Sequence, residues 1–142
     1  MKKNAGITLI EILLVIAIVA ILGATTTPFL SSFLTRNNHD IAVSRVVGSL
    51  RKAQAYSMVG KDAGNWGVCV SGNTITFYKG SCGSPTYQEN YTVPSVMSIS
   101  GISDITFSLN RGEPSTTGTI TVTSPLDSDV ITINSGGGIS LP

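Results

Sequence analysis

The chain has 142 residues, only 12% of them charged, and 42% are hydrophobic with few aromatics. Nine Lys and Arg against eight Asp and Glu leave a net charge of +1, which argues against a strongly basic nucleic-acid binder or an acidic solvating tail. Low charge and high apolarity also oppose global disorder, and one His with two Cys leaves no ordinary zinc ligand set.

The first segment decides the class. Lys2 and Lys3 precede an apolar run over 7–24, and no further Lys or Arg occurs before Arg36. A run of about 20 apolar residues spans a bilayer. The flanking lysines keep the N-terminus in the cytoplasm, which directs the chain beyond the run to the other side. Glu11 interrupts the run. An ionised carboxylate costs about 2.5–3.5 kcal/mol at the centre of a membrane helix, less near its end, so it asks for a partner. A cleaved secretory signal has no use for that charge, and Leu22-Gly23-Ala24 matches a signal-peptidase site only loosely.

Lys2-Lys3-Asn4-Ala5-Gly6, followed by Ile7-Thr8-Leu9-Ile10-Glu11, resembles the class III signal of type IV prepilins and pseudopilins. The resemblance implies cleavage by a prepilin peptidase after Gly6, N-methylation of the new terminus Ile7, and an assembly role for Glu11. The family usually carries Phe where Ile7 stands. Loss of the leader removes both lysines, so the formal side-chain balance becomes about −1. It also frees an ammonium that Glu11 can neutralise, within one helix or in a neighbouring subunit.

Gly23, Thr25, Thr26, Thr27 and Pro28 are weak helix formers. Pilin-like helices bend near a Pro at the place of Pro28, so the stretch reads as a hinge or, equally, as a membrane-exit linker. Beyond it Phe29, Leu30, Phe33, Leu34, Ile41, Val43, Val46, Val47, Leu50 and Ala53 recur at three- and four-residue steps, the apolar face of a helix running to about Met58. Gly60 terminates it.

From Asn65 the texture is β. Candidate strands are 66–70, 74–78, 91–93, 96–99, 105–109, 118–123, 130–134 and 139–141, the first two joined by a Ser71-Gly72-Asn73 turn. Trp66-Gly67-Val68, Ile105-Thr106-Phe107 with Arg111-Gly112, and Ile131-Thr132-Ile133-Asn134 resemble the subgroup that includes GspH of type II secretion and the FimT minor pilins. Some FimT proteins take up DNA through a basic C-terminal segment. Residues 134–142 hold no Lys or Arg, so that activity does not transfer.

Cys69 and Cys82 lie outside the cytoplasm on this topology, and a disulfide between them would stabilise by about 3 kcal/mol. In a simple hairpin Cys69 faces Thr76, so Cys82 must return through a turn at Gly80-Ser81; free buried thiols are the alternative. His39, beside Asp40, has no nucleophile to serve and reads as part of a solvated helix face. Arg45, Arg51 and Lys52 read as a wet surface, Asn90-Tyr91-Thr92 is a common tripeptide, and the triple Gly at 136–138 lacks the Lys of a phosphate loop.

These observations point to an α+β, pilin-like chain: a leader at 1–6, a transmembrane and filament-core helix at 7–27, an amphipathic helix at 28–60, and an antiparallel β head at 61–142. The implied role is structural, as a minor subunit of a type IV pilus or a type II secretion pseudopilus. The expected partners are prepilin peptidase, neighbouring subunits, an inner-membrane assembly platform and membrane lipid, with no cofactor and no nucleic acid. The expected location is the inner membrane, head outside the cytoplasm, and then the filament. A head that binds DNA or a surface is the alternative; an anchored enzyme would need a nucleophile–base pair the sequence lacks.

Overall fold

The computed structural model describes residues 6–141, except the side chains of 25–29. The leader residues Lys2 and Lys3 lie outside it, and so does the side chain of Pro28, on which the hinge reading rests. One helix, α1 (Leu9–Met58), is assigned continuously through these positions. The chain divides into two compact units, Met1–Leu34 and Thr35–Pro142.

In the first unit α1 shows apolar side chains all round, from Ile12 and Leu13 to Ile21 and Leu22, each about half exposed or more. A helix that is apolar all round differs from one with a single buried stripe. The helix begins at Leu9, and among the described residues no helix is long and apolar enough to cross a membrane.

The second unit buries its own core. Ala42, Val43, Val46, Val47, Leu50 and Ala53 of α1 are buried, as the three-four spacing requires, whereas Leu30, Phe33 and Leu34 remain exposed in the first unit and Ile41 is exposed in this one. Helix α1 ends where Gly60 takes φ 64°, a left-handed value that suits glycine. A short 3-10 turn (Lys61–Ala63) comes next.

The β region forms two four-stranded antiparallel sheets rather than one. The first contains β1 (Trp66–Ser71), β2 (Thr74–Ser81), β3 (Ser84–Thr92) and β5 (Asp104–Phe107), in the order β3-β2-β1-β5. The second contains β4 (Ser98–Gly101), β6 (Gly118–Thr123), β7 (Ser128–Ile133) and β8 (Ile139–Ser140), in the order β4-β6-β7-β8. Trp66, Val68, Ile75, Phe77, Ile105 and Phe107 from the first sheet meet Ile120, Val122, Ile131 and Ile133 from the second in a single core with α1. Period-two burial along β6 and β7 follows from the pleat.

Strand β3 extends well before the expected 91–93. Its first residues, Ser84-Pro85-Thr86-Tyr87-Gln88, carry no apolar alternation, because β3 is an edge strand where Pro and polar side chains are tolerated.

Candidate functional site

The N-terminal motif is laid out as an extended lead-in and a helix start. Gly6, Ile7 and Thr8 are non-helical, and α1 opens at Leu9. The Thr8 carbonyl accepts hydrogen bonds from the Glu11 N–H (3.1 Å) and the Ile12 N–H (3.3 Å), closing the first turn. Glu11 therefore sits in the first turn, where the helix dipole favours a negative charge. Ile7 is 73% exposed. The Gly6-Ile7 peptide bond thus lies in exposed, non-helical chain, the form in which a peptidase can engage a backbone.

Cys69 and Cys82 are joined by a disulfide, with their Cα atoms 6.1 Å apart. Cys69 does lie opposite Thr76, and a register shift between Lys79 and Gly80, with Gly80 at φ 98°, precedes Cys82.

His39 overturns the solvated-face reading. It is 1% exposed, and its Nε2 lies 3.0 Å from Oδ2 of Asp129 on β7, so the histidine ties the helix to the second sheet. Its other ring nitrogen, Nδ1, has no partner among the described residues. Sequence spacing carried the signal: His39 is one turn from Val43, on the buried side of the helix.

Lys52 is likewise more than wet surface. Its ammonium donates to both oxygens of Glu89 at 2.8 Å, and the Tyr87 and Tyr91 hydroxyls donate to the same carboxylate at 2.6 and 2.7 Å. The Lys52 bond first, then the two tyrosine hydroxyls, hold the Glu89 carboxyl down to about 2. The Tyr78 hydroxyl donates to Asp104 and is raised, first by burial and then by that bond.

Two further polar residues escaped the sequence reading although they sit on the helix among apolar positions. Gln54 Nε2 donates to the carbonyls of Gly112 (3.1 Å) and Gly137 (2.8 Å). Buried Ser57 accepts the Trp66 N–H at its hydroxyl (3.0 Å) and the Asn110 N–H at its carbonyl (2.9 Å). Both satisfy backbone groups that would otherwise be buried without partners. A polar residue at core spacing was the available signal. Among the described residues no cluster of three metal-ligating side chains occurs.

Residues 1–27 match the family described as the prokaryotic N-terminal methylation motif. The fold is similar to that of the minor pseudopilin EpsH from the type 2 secretion system of Vibrio cholerae, with a TM-score of 0.57 and 13% identity over 74% of this chain and 96% of that one. No curated protein sequence matches the chain. The motif match covers the N-terminal segment, and the structural likeness shows the fold. That fold is α+β, a long N-terminal helix with antiparallel sheets, like the pseudopilin's.

Proposed function

We propose that this chain is a filament subunit that is cleaved after Gly6, N-methylated at Ile7, and assembled through the apolar half of α1 into a type II secretion pseudopilus or a related pilus. The observation that carries this reading is the placement of Glu11 in the first helical turn, just after an exposed, non-helical Gly6-Ile7 junction. Before assembly, residues 7–24 rest in the inner membrane with the β unit outside the cytoplasm, and an assembly platform lifts the subunit out.

In the filament, packing of the exposed Ile, Leu and Val side chains against neighbouring helices replaces lipid contact, so van der Waals fit and polar pairs decide association. Glu11 meets a freed Ile7 ammonium, in its own chain or in the next, and that pair fixes axial register. The Cys69–Cys82 disulfide reinforces the first sheet in an oxidising compartment.

The test is Glu11→Ala, scored separately for membrane insertion and for recovery in sheared filaments. Normal insertion with lost incorporation is expected; normal incorporation would refute the charge-pair role.

A further inference from the structure

The second unit carries an exposed acidic turn between β6 and β7, beside Arg36, and a groove between α1 and β3, beside Arg45. Ser124 pins the turn. Its N–H donates to the Asp127 carbonyl at 2.8 Å, and its hydroxyl accepts the Asp127 N–H at 3.0 Å. This locked turn presents Leu126, 47% exposed, with the carboxylate of Asp127 beside it. A large apolar side chain held out on a fixed turn loses little entropy on docking.

The groove is lined by Ile41, Ala42, Arg45, Tyr91, Val93 and Pro94 and encloses about 330 Å³. Asn38, Asn90 and Thr92 add polar groups to its wall, Ile41 is half exposed, and Arg45 is the one cation among its lining residues. Arg45 lies over the Tyr91 ring at 4.9 Å, and among the described residues no carboxylate comes within ion-pair distance of it. Asp127 is only loosely held, with Arg36 at 4.0 Å and both side chains well exposed.

Arg36 and Arg45 are nine residues apart, two and a half turns at about 3.6 residues per turn, so they mark opposite flanks of α1. The acidic turn adjoins the Arg36 flank and the groove adjoins the Arg45 flank. A molecule with a knob on one flank and a matching socket on the other makes a heterologous contact, which propagates into an open helical assembly unless it closes into a ring.

We propose that Leu126 of one copy seats in the Ile41–Pro94 groove of the next copy, with Asp127 pairing to the Arg45 guanidinium. The apolar insertion supplies most of the affinity, because exposed ion pairs contribute little; the charge pair selects the orientation. This rests on the filament-subunit reading and deepens it, since the chain then stands beside a copy of itself rather than alone at a filament end.

The test uses full-length protein in membranes and in sheared filaments. With Ile41→Cys and Leu126→Cys in one chain, mild oxidation is expected to give a ladder of cross-linked multimers, whereas either single cysteine variant stops at dimer or below. Arg45→Glu or Asp127→Lys added to that background is expected to cut the ladder several-fold. Both together are expected to restore it, which also separates a lost contact from a misfolded protein.

A ladder with charge-swap rescue supports the contact. Absence of the ladder from filaments that contain the Ile7-started chain overturns it and leaves the filament reading standing. A ladder in protein that never enters a filament keeps the contact and counts against the filament reading. Cross-links only to a different protein overturn the second-copy partner.

Discussion

The two units of this chain put their apolar side chains to opposite use. In Met1–Leu34 the described Ile, Leu and Val side chains of α1 are about half exposed or more, whereas in Thr35–Pro142 the same residue types close a core among one helix and two sheets. On the proposed reading, the aliphatic surface exposed in one unit is the assembly segment and the sealed one is the self-sufficient head. Mutations should therefore split into those that block assembly with the fold intact and those that melt the β unit.

Glu11→Ala should break the first unit most completely. Loss of filament recovery to background is expected at unchanged membrane levels, measured by immunoblot of sheared and membrane fractions, with thermal unfolding of the β unit unmoved. In the second unit Phe77→Ala removes a fully buried ring that stacks on Trp66 at 5.1 Å between centroids. It should cost about 3–5 kcal/mol in denaturant unfolding, without touching the N-terminal motif.

Removing the disulfide with Cys69→Ser and Cys82→Ser should cost about 3 kcal/mol, and reduction of the parent protein should lower the unfolding midpoint to the same extent. The smallest effect belongs to the Glu89 hub. Its folded carboxyl titrates at about 2, below the ordinary value of 4.5, so its contribution is fully present above about pH 4.5 and disappears as pH falls toward 2. Glu89→Gln should cost about 1 kcal/mol at pH 7, discounted for partial exposure, and the difference from the parent should vanish near pH 2.

Legibility in the sequence follows the same division. The N-terminal signal is local: a basic pair, a glycine and one carboxylate in an aliphatic run state their chemistry without reference to anything distant. The buried stripe from Val43 to Ala53 and the alternation of β6 and β7 are legible because burial imposes a period. Strand β3 is not, since an edge strand bounded by a single neighbour has no apolar period to show. The separation of the β region into two sheets depends on long-range pairing that spacing alone does not encode. His39, Lys52, Gln54 and Ser57 look like surface residues one at a time; their partners, Asp129, Glu89, Gly137 and Trp66, come from remote strands and turns. The Lys79–Gly80 irregularity ahead of Cys82 belongs to the same category.

On the proposed reading an amine freed at Ile7 neutralises Glu11, so the chemical identity of the mature terminus tests the account most directly. N-terminal sequencing together with intact mass, on protein recovered from membranes and from sheared filaments, reads it in one step. A chain beginning at N-methylated Ile7, two hydrogens light for the Cys69–Cys82 bond, is the predicted result. A chain that keeps Met1, or that starts beyond the apolar run, would contradict it.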